Sequence, residues 1–154
     1  MKFCLIDRIV EVTRGERIVA VKAVSLAEEY LADHFPKFPV LPGVLMLEAM
    51  AEAATWLVRE ATDFAARPIL LRSVRNVTYK SFVRPGHLLT LDVTCRRLGR
   101  DESEFAGVGR CADTEVVRGK FVLTHRVDAA AGDGVASAEA SDVLRARFAD
   151  LQRS

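Results

Sequence analysis

His34, Gly43 and Glu48 are the residues of this chain whose types and spacing could support acid–base chemistry. A histidine titrates near neutral pH, so His34 is a candidate general base. Glu48 lies in an apolar run, where burial is expected to raise its pKa and keep a proton available, making it a candidate acid. Gly43 opens that run, and the unpaired N–H groups at a helix start, with the positive dipole end, can hold an oxyanion. A base, an acid and an oxyanion site require neither metal nor organic cofactor. No metal cluster is expected, because His34, His87 and His125 stand far apart without companion ligands.

Two elements must position this set. Pro36, Pro39 and Pro42 recur every third residue, which suits an extended polyproline-like segment. After Gly43, residues 44–58 are rich in helix formers and apolar on almost every side, and read as a buried core helix ending near residues 59–63. The run is too short and too interrupted by Glu to span a membrane. Nine residues of straight polyproline chain would carry His34 roughly 28 Å from Gly43, at about 3.1 Å each. Glu48 lies about 7.5 Å further along the helix axis. On that spacing His34 meets the Glu48 of a second subunit more easily than its own. Glu52, one turn on, either pairs with a surface base at the helix edge or raises the pKa of Glu48 as a like charge. Met46, Met50 and Trp56 read as core.

The remainder is strand material. Residues 3–12 and 17–24 flank the turn signal Arg14-Gly15-Glu16, and a short helical turn capped by Ser25 precedes His34. Residues 69–74, 76–82, 88–98, 105–113 and 116–127 give further strands. One apolar helix and many antiparallel strands imply an α+β domain, a curved sheet wrapped around the helix, over 1–128. Residues 129–140 read as a linker. Residues 141–154 read as an amphipathic helix, with Leu144, Phe148 and Leu151 on the face that docks.

The chain has 154 residues and a net charge of +1 from 22 basic and 21 acidic side chains, which gives no bulk argument for nucleic acid or an anionic membrane as partner. Cys4, Cys95 and Cys111 form no CxxC pair and read as reduced, mostly buried thiols of a cytoplasmic protein; no signal-peptide pattern opens the chain.

The block from His34-Phe35-Pro36 through Pro42-Gly43 to Glu48 resembles the signature of the FabZ and FabA 3-hydroxyacyl-[acyl-carrier-protein] dehydratases. The likeness extends upstream through Leu5 to Ile9 and Arg17 to Lys22. Downstream it takes in Tyr79-Lys80, Arg84-Pro85-Gly86 and the strands to about Val127. Lys37 stands where the family usually has Gly, Glu52 where it usually has Gln, and His87 where it usually has Asp. The resemblance implies a hotdog fold, a homodimer or trimer of dimers with shared sites, and dehydration of (3R)-hydroxyacyl groups on acyl carrier protein to trans-2-enoyl groups. It implies His34 and Glu48 as catalytic pair, Gly43 as oxyanion donor, and Phe35, Pro42, Val44, Glu52 and Tyr79 as substrate-binding residues. Lys37, Lys80 and Arg84 are ordinary solvated charges by default and candidate docking cations for the acidic carrier protein. A hotdog thioesterase, a dehydratase-isomerase and a non-catalytic acyl-thioester-binding subunit stand as alternatives.

Overall fold

The computed structural model describes residues 4–65, 67–125 and 138–154. Its chain order is β1 (Arg8–Thr13), β2 (Arg17–Ala23), a short 3-10 turn (Glu29–Leu31), α1 (Gly43–Ala61), β3 (Leu70–Tyr79), β4 (Leu88–Leu98), β5 (Glu102–Cys111), β6 (Thr114–Thr124) and α2 (Ala138–Arg153). The six strands form one antiparallel sheet in the order β1-β2-β4-β5-β6-β3, which leaves β1 and β3 as edges. This is the α+β arrangement expected of a hotdog domain, one long helix packed on a single sheet.

The helix docks through one stripe. Met46, Ala49, Met50, Ala53, Ala54 and Leu57 recur at the three- and four-residue spacing of one helix face, and all are buried. They meet the buried alternate residues of the sheet, Leu89, Leu91 and Val93 on β4, Phe105 on β5, and Val117, Phe121 and Leu123 on β6. Gly107 makes the close approach possible: a Cβ there would stand 2.5 Å from Met50 Sδ. The first hairpin turns through Gly15, whose φ of +68° favours glycine.

Several boundaries differ from the local reading. The first strand begins at Arg8, because Leu5 and Ile6 are buried in the core and the Leu5 N–H donates to the Glu52 carboxylate at 3.1 Å instead of a ladder. The two strands expected over residues 69–82 are one, β3; Asn76 takes a left-handed φ of +52°, and the pairing with β6 shifts register between Arg75 and Thr78. Cys4 is exposed and the other two cysteines are half-buried, so the expectation of mostly buried thiols does not hold.

The proline-spaced segment is not extended. Phe35 and Phe38 exchange backbone hydrogen bonds at 3.2 and 3.0 Å, and the Val40 N–H donates to the His34 carbonyl at 2.9 Å. Pro36 occupies the second position of the turn from Phe35 to Phe38, a place its fixed φ suits, so the proline spacing is as compatible with a fold-back as with a straight run. The straight-line separation argued from sequence therefore fails.

The C-terminal helix begins at Ala138, three residues before Ser141, since Ala138, Glu139 and Ala140 favour helix. The rest of the expected linker lies outside the described residues. Phe148 and Leu151 are buried, and the Phe148 ring meets Trp56 and Phe64 at centroid distances of 6.0 and 5.2 Å. Among the described residues no helix is long and apolar enough to cross a membrane.

His125, 2% exposed, shares a 3.0 Å hydrogen bond with buried Ser103. Burial first, then the charge of Arg67, lowers its pKa below the ordinary 6.5. The unfolded chain then takes up a proton that the fold resists, so this stability is complete above about pH 6.5 and is lost as pH falls below it. His125→Gln, which can still bond Ser103, should show a smaller fall in melting temperature between about pH 7.5 and 5.5. Circular-dichroism melts of both proteins check this.

Candidate functional site

The turn that folds residues 34–40 back on themselves also orients His34. Its Nδ1 lies 2.9 Å from the Val40 carbonyl, an acceptor, so in the neutral ring Nδ1 carries the hydrogen and Nε2 keeps a free lone pair. The ring is half-buried and stacks on Phe35 at a centroid distance of 4.3 Å. The loop is anchored by buried Val40 and Leu41, and the Leu41 N–H donates to the Val83 carbonyl at 2.8 Å.

The loop delivers the chain to the start of α1. Pro42 is the N-cap and offers no side-chain acceptor, so the first helical N–H groups, that of Gly43 among them, are left without a side-chain cap. Gly43 packs under Tyr79, the last residue of β3; a Cβ at Gly43 would come 3.0 Å from that ring. Burial raises the Tyr79 pKa. His34, Pro42, Gly43, Val44 and Tyr79 together line a cavity of about 470 Å³.

Glu48 is not in that cavity, and it is exposed rather than buried. The stripe through Met46, Ala49 and Met50 faces the sheet, which turns Val44, Glu48 and Glu52 to the flank of α1. There Glu48, Glu52, Thr55, Trp56 and Arg59 line a second cavity of about 840 Å³, closed by β3, β6 and α2. The half-buried carboxylate on this flank is Glu52. Burial, opposed by the Leu5 N–H and reinforced by the charge of Glu48, raises the Glu52 pKa. Its partner is that N–H, not a surface base.

Within one chain, then, His34 and Gly43 are brought together with Pro42, Val44 and Tyr79, while Glu48 and Glu52 open into a different space. Phe35 supports the His34 ring from outside the cavity lining. Of the candidate docking cations, Lys80 lies 2.6 Å from Glu115, Arg84 covers the Phe38 ring at 4.5 Å, and Lys37 is exposed on the turn. Sequence reasoning passed over Phe82, which borders the His34 cavity while 62% exposed, and Arg59, on the same flank of α1 as Glu48 and Glu52. The signal for Arg59 was available, since its offsets from both carboxylates fit one helix face. Arg147 of α2 had none. Among the described residues no group of three or more His, Cys, Asp or Glu is placed to hold a metal.

The FabA-like domain family matches residues 1–126. This chain belongs to that family. Relatives within it include the 3-hydroxyacyl-[acyl-carrier-protein] dehydratase FabZ of Paracidovorax citrulli (strain AAC00-1), 39% identical over 127 residues, covering 80% of this chain and 87% of the relative. The FabZ enzyme of Geobacillus thermodenitrificans (strain NG80-2) is 33% identical over 131 residues, 85% of this chain and 86% of the relative. By these relatives the chain is a FabZ-type dehydratase, a lyase. Among solved structures, the dehydratase heterocomplex ApeI:P from Xenorhabdus doucetiae superposes with a TM-score of 0.68 at 20% identity, over 81% of this chain and 84% of the other, and shares the fold.

In this FabA-like chain Glu52 gives a direct test of the flank. Its raised pKa means that ionised Glu52 opposes folding at neutral pH, and that this cost vanishes once pH falls below about 4.5. Glu52→Gln keeps an acceptor for Leu5 and should melt higher than the parent at pH 7. The difference should close at low pH in calorimetric scans.

Proposed function

We propose that this chain removes water from a (3R)-hydroxyacyl thioester carried on acyl carrier protein, in fatty-acid or related lipid synthesis, at sites shared between two copies. His34 Nε2 takes a proton from C2, and the electron pair of that bond forms the C2=C3 double bond. Glu48 of the second copy gives its proton to the C3 hydroxyl, which leaves as water. Negative charge developing on the thioester oxygen is met by the Gly43 N–H at the uncapped helix start. A proton passed from the imidazolium back to Glu48 restores both groups. The products are the trans-2-enoyl thioester and water.

The observation that carries the shared site is the placement of β3. It is a ten-residue edge strand, paired with β6 on one side only and with Leu70 62% exposed, a ready template for a second copy. Leu71, near its start, borders the Glu48 cavity, and Tyr79, at its end, borders the His34 cavity. Antiparallel pairing of β3 with its two-fold copy would set the Tyr79 end of one strand beside the Leu71 end of the other. The His34 cavity of each copy would then abut the Glu48 cavity of its partner, and the exposed Glu48 would be covered. Lys80, which lines the His34 cavity and pairs with Glu115, is with Lys37 and Arg84 the set of cations we assign to the acidic carrier protein. Three free cysteines agree with a reducing cytoplasm.

His34→Ala and Glu48→Gln should each lower dehydration of 3-hydroxyacyl carrier protein by about 10²–10⁴-fold. Mixed and allowed to exchange subunits, the two inactive variants should regain activity. Continued inactivity despite exchange proven by mass spectrometry would remove the shared site.

A further inference from the structure

The cavity beside Glu48 is built unlike a slot for a plain hydrocarbon. One wall is the flank of α1 from Glu48 to Arg59, about 16 Å along the axis. Another is α2, contributing Leu144 and Arg147 and held in place by Phe148 on Trp56. Ile69, Leu71 and Leu123 supply apolar walls near the sheet. Its volume of about 840 Å³ is that of a small-molecule site.

The end remote from Glu48 is charged. The Arg59 guanidinium lies 4.9 Å from the Trp56 ring centroid, and its Nε is buried with no hydrogen-bond partner among the described residues. Arg147 lines the same space, its Nη2 donates to the weak acceptor Cys4 Sγ at 3.5 Å, and its charge acts on Glu52. Glu52 is close enough to act on Arg59, yet its carboxylate is bonded to the Leu5 N–H. Among the described residues neither arginine forms an ion pair. A carboxylate at the end of the bound chain would meet the two guanidinium groups that line this end of the cavity, which a hydrocarbon tail would not.

We propose that this cavity selects acyl chains ending in a carboxylate over chains ending in a methyl group, with Arg59, assisted by Arg147, as the specificity-determining contact. The inference rests on the dehydratase reading for the route by which the chain enters, past Glu48. Trp56 and the sheet leucines hold the methylenes, and the guanidinium groups hold the terminal oxygens. Because α2 supplies one wall, the C-terminal segment beyond the family match takes part in choosing the substrate.

The test uses the full chain and two unreactive probes, dodecanoyl-pantetheine and the dodecanedioyl half-thioester of pantetheine, with binding read by calorimetry. The carboxyl-ended probe should bind about tenfold tighter or more, as a charge-assisted hydrogen bond provides. Arg59→Met should bring the two affinities together. Equal binding, or tighter binding of the methyl-ended probe by the unaltered protein, overturns the inference whether or not the variant folds. Dehydration of 3-hydroxyacyl carrier protein, assayed in parallel, separates the two readings. Dehydration without end-group preference removes the inference alone. Preference without dehydration upholds selection of the carboxyl end and removes the dehydratase reading.

Discussion

Burial of a single stripe of α1 against the sheet determines where every other group in this protein stands. Met46, Met50 and Leu57 provide bulk, Ala49, Ala53 and Ala54 let the helix lie close, and Gly107 leaves room for the Met50 sulfur. Once that stripe is committed to the core, the adjoining flank cannot be. Val44, Glu48, Glu52 and Arg59 must therefore look sideways, out of the domain or into the space closed by α2. The carboxylate nominated as acid is exposed for this reason.

The same docking places the start of α1 at the rim of the sheet, where Tyr79 ends β3. Gly43 is tolerated there because the aromatic ring occupies the position a side chain would need. The fold-back through Pro36 and Lys37 then brings His34 to the same rim. The Val40 carbonyl sets which ring nitrogen carries the hydrogen. Packing, turn and tautomer converge on one small space, and each depends on the placement of the helix.

Burial also explains the polar groups of the interior. Lys22, 5% exposed, is held by Glu28 at 2.8 Å, and His125 is held by Ser103. Arg59 forms no ion pair among the described residues and lines the cavity that α2 borders. Two guanidinium groups lining one end of a cavity are a reason to look for an anionic ligand there.

The elements themselves were legible locally. Alternation along β4 to β6, the turn signals at Gly15 and Gly99, the long apolar helix and the amphipathic tail of α2 all follow from short-range periodicity. So did the chemical identity of His34, Gly43 and Glu48, whose spacing is a property of the chain. What sequence alone misjudged was long-range. An extended segment became a turn, a buried glutamate became an exposed one, and two strands joined into one through a left-handed Asn76. The Leu5 N–H bonded a carboxylate forty-seven residues away. Periodicity says which residues are apolar, but which way a helix turns its remaining face depends on contacts distant in the chain, and only the folded structure supplies those.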